Sequence, residues 1–214
     1  MLFNSTPFLF AFLPLTLVVF HLLMRRARGE VAVLWLSLAS VYFYAQFIPL
    51  HLALFATSIA VNFTLGRRLA ARPSRPLLTL GIVFNLGVLA VFKYAGFLIA
   101  NLNAVSGLAI PDPGIVLPLA LSFFTFQKIA YIVDVHRGGA PRYRFNDFLL
   151  FVMFFPQLLA GPIVHHATMM PQIAEIRRRH WADPSGDFAV GVTLLCVGPV
   201  SYTHLRAHET IALI

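Results

Sequence analysis

Gln127, Tyr131 and Asp134 fall at steps of four and three inside LPLALSFFTFQKIAYIVDVHRG, the stretch from Leu117 to Gly138. At 3.6 residues per turn those steps put an amide, a phenol and a carboxylate on one helix face. Groups of this kind at or near membrane depth are costly unless they face a protein interior, a partner or a water-filled cavity. Two readings follow. Either the face meets a partner or a water-filled cavity, or Gln127 joins two helices while Asp134 sits in the interfacial zone beside Arg137. A second block, FFPQLLAGPIVHHATMMPQI, Phe154 to Ile173, supplies Pro156, Gln157, Gly161, Pro162 and the pair His165 and His166. Adjacent residues point in different directions on a helix, and a metal needs several ligands at suitable spacing. The two histidines are therefore expected to be interfacial or substrate-contacting, with no metal bound.

The elements that must carry these residues are set by composition. The chain has 214 residues, is 59% hydrophobic and 11% charged, and has a mean hydropathy of +0.81. Soluble domains carry about a quarter charged residues. Several apolar runs approach the length of about 20 residues that crosses the hydrocarbon core as helix. The shorter alternating segments of a β-barrel are missing. The net charge of +8 comes largely from arginines in short loops, where it reports topology rather than nucleic-acid binding. One cysteine, Cys196, excludes an intrachain disulfide and reads as a small buried hydrophobe.

Pro7 to Met24 reads as a retained first span, since no basic residue precedes it and arginines follow it. Val31 to Phe47 and Leu50 to Leu65 form a tight helical hairpin, followed by a basic loop from Gly66 to Pro76. Leu77 to Ala100 is a fourth span, in which Lys93 snorkels to the interface. Asn62 and Asn85 are single amides expected to join helices. Asn101 to Gly114 is a loop without Lys or Arg, and a fifth span runs roughly from Ile115 to Val135. Arginines at 25, 26 and 28, at 67, 68, 72 and 75, and at 137, 142 and 144 place alternate loops in the cytoplasm. The N-terminus and Asp112 are then outside. Phe145 to Ile163 is interrupted by Pro156, Gly161 and Pro162, and it is expected to be re-entrant from the cytoplasmic side, with an ordinary kinked span as the rival. His165 to Trp181 is a partly amphipathic stretch suited to the membrane surface.

The two blocks also carry a resemblance. SFFTFQ-x-IAY-x-VD-x-x-RG, which contains Phe123, Phe124, Phe126, Gln127, Tyr131, Asp134 and Arg137, and FPQL-x-AGPI, which contains Pro156, Gln157, Gly161 and Pro162, are similar to strings of the membrane-bound O-acyltransferase (MBOAT) family. The likeness is to its bacterial branch, of the alginate O-acetylation protein kind. LASVYFYAQF, VNFTLGRRL and LGIVFNLGVLAVFKYAGFLIANLN extend the likeness in order, from about Leu34 to about Gly198.

The resemblance implies an all-α, polytopic membrane protein with about five to seven transmembrane or re-entrant helices, a truncated MBOAT fold. It implies acyl transfer, with acetyl as the default group, from acetyl-CoA or an acyl carrier to an extracellular polysaccharide such as alginate or a wall polymer. The setting would be the inner (cytoplasmic) membrane, with a periplasmic or extracellular acetyltransferase as partner, no nucleic acid and no bound cofactor. The motif residues just named would help form the wall of a tunnel in which a histidine acts as general base. That histidine belongs to a WRRWH-like segment which these residues lack. His204 and His208 stand outside the family's motif, so no catalytic residue is assigned. Residues 1–198 read as the N-terminal part of the family's domain, and 199–214 as an unrelated tail. An inactive product and a transporter-like subunit are the alternatives, though no internal repeat favours transport.

Overall fold

The computed structural model describes residues 5–26, 28–46, 49–111, 114–138, 143–158, 165–178 and 193. All regular structure among them is helical. A π-helical turn, Phe8–Phe12, leads into α1, Leu13–Arg25; α2 is Gly29–Ala45, α3 Pro49–Ala71 and α4 Arg75–Ser106. Then follow α5, Leu121–His136, α6, Phe145–Met153, α7, Phe155–Leu158, and α8, His166–Arg178.

Among the described residues two helical stretches, Phe8–Arg25 and Arg75–Ser106, are long and apolar enough to cross a membrane. On α4 the side chains of Leu80, Val83, Leu86, Val91, Phe97 and Leu98 are exposed, an apolar surface of the kind lipid covers. With 17 residues in α2 and 16 in α5, these helices are shorter than the about 20 of a perpendicular span.

Several ends differ from the sequence reading. Helix α3 continues through Gly66 to Ala71, so most of the expected basic loop is helix. Arg, Leu and Ala are good helix formers, and nothing breaks the turn before Pro73. Helix α4 likewise runs on to Ser106 and stops at Gly107, whose positive φ of 68° closes it through an N–H to the Asn103 carbonyl. Helix α5 starts six residues later than the expected Ile115, after Pro118 and after Ala120 at φ 59°. The Tyr44 hydroxyl donates to the Leu119 carbonyl and anchors that start. In the interrupted segment the break falls at Phe154, two residues before Pro156. Proline sits easily in the first turn of α7, and its ring clashes with the carbonyl four residues back, so α6 ends at Met153. Residues 159–164, Cys196 and the tail 199–214 lie outside the described residues, so the re-entrant reading is met only by this break.

Helix α2 is central and packs against α1, α3, α6, α7 and α8, while α5 lies between α3 and α4 with one side on α6. Tyr44, Phe55 and Phe124 form an edge-to-face trio in the core, with centroids 4.5 to 6.0 Å apart. Phe8, Phe12, Phe43 and Phe155 make a second cluster that joins the first helical turn to α7. Trp35 Nε1 donates to the Thr16 carbonyl and ties α2 to α1. Helix α8 is fastened by Arg177, which pairs with Glu30 of α2 and Asp147 of α6. Gly29 lets it come close: a Cβ there would stand 2.5 Å from the Ile176 carbonyl oxygen and 2.7 Å from Arg177 Cα.

Candidate functional site

Helix α5 presents its polar face toward α6 and α8, and the three residues at steps of four and three do share it. Gln127 is buried, and its Nε2 donates to the Phe151 carbonyl of α6 at 3.1 Å. Its Oε1 has no partner among the described residues. One turn on, Tyr131 is buried against Phe148, with ring centroids 4.7 Å apart, and near the rings of Tyr143 and His166. Its hydroxyl end fits against Gly66 of α3, where a Cβ would lie 2.4 Å from the phenolic oxygen. Another turn on, Asp134 Oδ2 stands 2.6 Å from His165 Nε2 and 3.1 Å from His166 Nε2.

The histidine pair corrects the sequence argument, because both imidazoles aim at one carboxylate oxygen. His165 precedes the first residue of α8, so the helical step that would separate neighbouring side chains does not apply to it. His166 is 2% exposed, while the His165 side chain is half exposed. The Tyr143 hydroxyl lies 3.2 Å from His166 Nδ1. With Tyr143 donating to Nδ1 and Nε2–H donating to Asp134, a neutral ring has both nitrogens satisfied. Burial pushes the His166 pKa below its ordinary value, while the hydrogen bond to Asp134 opposes that shift. The result is a neutral imidazole in a chain of three polar side chains, open to solvent on the His165 side.

The other motif residues are distributed around this line. Phe124 is fully buried in the aromatic trio, and Phe123 packs beside it with centroids 6.1 Å apart. Phe126 is 55% exposed, away from the Gln127 face. Arg137 is an exposed residue that caps α5, and Pro156 is exposed in α7. Gln157 is buried, and its Nε2 has no partner among the described residues. Gly161 and Pro162 lie outside the described residues. The motif therefore separates into a packing set and a polar set.

Sequence reasoning missed Lys128. It is 1% exposed, its Nζ donates to Ser58 Oγ, and it lies 6.0 Å over the Phe55 ring. No carboxylate pairs with it among the described residues. The signal was present, since it is the one cation in FFTFQKIAYIV. An apolar cleft of about 480 Å³ lies elsewhere, lined by Phe12 of the π-helical turn and by Trp35 and Tyr42 of α2, and holds none of these polar groups.

No protein-family model matches the chain, and no solved structure matches it. Curated relatives do. Over 205 residues the chain is 36% identical to a peptidoglycan O-acetyltransferase of Helicobacter pylori, an alignment covering 82% of this chain and 39% of the relative. Over 208 residues it is 38% identical to a probable alginate O-acetylase of Azotobacter vinelandii, covering 92% of this chain and 40% of the relative. The corresponding protein of Pseudomonas aeruginosa is 38% identical over 208 residues, covering 92% of this chain and 38% of the relative. The chain thus spans about two-fifths of the length of the curated relatives it matches.

Proposed function

Because the chain belongs to the membrane-bound O-acyltransferase family, in its bacterial alginate O-acetylase-like branch, we propose that it forms part of a membrane enzyme that acylates polysaccharide. Acetyl is the group, and a hydroxyl of alginate or of a wall polymer is the acceptor, as the names of the relatives suggest. The donor is acetyl-CoA or an acyl carrier on the cytoplasmic side of the inner membrane. A periplasmic or extracellular acetyltransferase receives or completes the transfer. In this reading Phe145 to Ile163 re-enters from the cytoplasm and the N-terminus is outside.

The role of these residues is to hold the path open and polar. The observation that carries this is the convergence of Gln127 and Tyr131, both buried, and the partly exposed Asp134 on one face against α6 and α8, with Tyr143 and His166 continuing the line. The Gln127 Oε1 acceptor and the Gln157 Nε2 donor support it: each is buried without a partner among the described residues. Such groups cost about 1–3 kcal/mol unless a ligand, water or further protein meets them. The bond-making base is assigned to the part of the family's length beyond this match, not to His204 or His208. A general base must reach the reacting hydroxyl at hydrogen-bond distance, and in this division the described face supplies the approach to it.

The test expresses the 214-residue chain beside a version extended to the full length of its relatives, in a strain lacking its own acyltransferase. Polymer-bound ester is the readout. Ester from the extended version only, reduced by Gln127→Leu and by Asp134→Asn, is the expected result. Ester from the 214 residues alone would overturn the division of roles, and indifference to both substitutions would remove the path from this face.

A further inference from the structure

We propose that Asp134, His165 and His166 form a binding site for one divalent first-row transition ion of the zinc class, with a coordination position left open toward solvent. The proposal stands on the side-chain cluster itself and goes beyond the acyltransferase reading.

Three groups that ligate metals converge here from two elements. Asp134 comes from the last turns of α5, and the two histidines from the start of α8. One ligand atom from each lies within 4.8 Å of the other two. The contacts are already short, 2.6 and 3.1 Å from the imidazole nitrogens to the same oxygen. A zinc-class ion held at about 2.0–2.1 Å from each donor in tetrahedral geometry sets its ligands ~3.3 Å apart. To reach that spacing the Asp134–His166 contact opens by about 0.2 Å and the Asp134–His165 contact by about 0.7 Å; the His165 side chain, half exposed and held at Nδ1 by a 3.4 Å contact from the Ala167 N–H, makes the larger movement.

The surroundings fit a held ligand set. His166 is fixed by edge-on contact with Tyr131 and Phe151. The Tyr143 hydroxyl at 3.2 Å from Nδ1 supplies the outer hydrogen bond that metal-bound histidines use to fix ring orientation. In the loaded state Nδ1–H donates to Tyr143 and the bare Nε2 faces the ion. Among the described residues no Lys or Arg pairs with Asp134. A cation between the imidazoles and the carboxylate would supply the missing positive charge. Two imidazoles and one carboxylate suit zinc, cobalt or nickel; calcium and magnesium prefer all-oxygen shells. Three protein ligands leave the fourth position for water or a substrate oxygen.

The experiment uses the purified chain without a histidine tag, in detergent and stripped with chelator. Zinc is titrated by calorimetry, and cobalt is followed by its visible absorption. One ion per chain is expected, with a four-coordinate cobalt spectrum. Affinity should fall at least about tenfold in His165→Ala, and by about 10- to 100-fold in Tyr143→Phe, which removes only the outer hydrogen bond. His21→Ala should leave binding unchanged. Zinc should also raise the unfolding temperature of the wild-type chain and not that of His165→Ala, a half-exposed position whose loss spares the core. A chain that binds no ion at micromolar free zinc would overturn the site and leave a hydrogen-bonded Asp–His–Tyr relay. So would stoichiometric binding that survives removal of both histidines.

Discussion

Asn62 and Asn85 face one another across the α3–α4 interface and exchange two side-chain hydrogen bonds, 3.1 and 2.7 Å long. Each amide also donates within its own helix, Asn62 to the Ser58 carbonyl and Asn85 to the Gly81 carbonyl. The pair is therefore closed, with both donors and acceptors used in a buried setting. Asn62→Leu leaves the Asn85 amide half satisfied and should cost about 1–3 kcal/mol. Replacing both by Leu should cost less than the sum of the two single changes, with a coupling of roughly 0.5–3 kcal/mol. Chemical unfolding of the four proteins in detergent measures this, and strictly additive losses would contradict the closed pair.

Gly29 and Gly87 should respond in opposite senses to the same substitution. A Cβ at Gly29 meets backbone atoms of α8 at 2.5 and 2.7 Å, which cannot rotate out of the way. Gly29→Ala should cost about 1–3 kcal/mol through overpacking. It should also lift α8 from α2, seen as faster proteolysis at Arg177 and Arg178. Among the described residues a Cβ at Gly87 meets nothing within 4 Å. Gly87→Ala in the middle of α4 should stabilise by about 0.5–1 kcal/mol.

The periodicity of Gln127, Tyr131 and Asp134 was legible because a helix face depends only on spacing. The partners of that face were not legible, since they come from α6 and α8, far along the chain. His165 and His166 were misjudged for a local reason. Adjacent side chains diverge only where both residues are helical, and the first turn of α8 begins between these two. Helix ends failed where tertiary contacts and cap residues decide them. Ala120 in a left-handed conformation starts α5 late, and a glycine at 66 inside α3 is required by Tyr131 rather than by a turn. Lys128 was passed over because it sits next to Gln127 in sequence but turns toward Ser58 of α3.

Helix α4 gives a direct test of orientation. It runs 32 residues, about 48 Å at 1.5 Å per residue, from the arginine-rich side to a loop without Lys or Arg. In the proposed topology a cysteine at Arg72, just before it, and one at Ser106, its last residue, are on opposite sides of the bilayer. The arginine asymmetry on which that topology rests puts Arg72 on the cytoplasmic side. Membrane-impermeant maleimide added to intact cells should label Ser106→Cys and spare Arg72→Cys until the cells are permeabilised. The reverse pattern would invert the orientation, and equal labelling of both would take α4 out of the membrane.

Lys128 separates stability from function. Its ammonium group is buried with one hydroxyl partner and one aromatic face, and no carboxylate pairs with it among the described residues. Desolvating a charge in this way costs several kcal/mol that a single hydroxyl does not return. Methionine has nearly the same length and volume without the charge. Lys128→Met should therefore leave stability unchanged or raise it by about 1–4 kcal/mol. Lys128→Ala should lower it by about 2–5 kcal/mol, because a cavity replaces the side-chain stem between Ser58 and Phe55. Unfolding in detergent distinguishes the two. A buried cation kept at such a cost points to use, so on the proposed function polymer-bound ester from a version extended to the length of the relatives should fall in Lys128→Met although the chain is at least as stable. Wild-type ester levels in that variant would reduce Lys128 to a packing residue. A large loss of stability in Lys128→Met would show that the ammonium group meets a counter-charge outside the described residues.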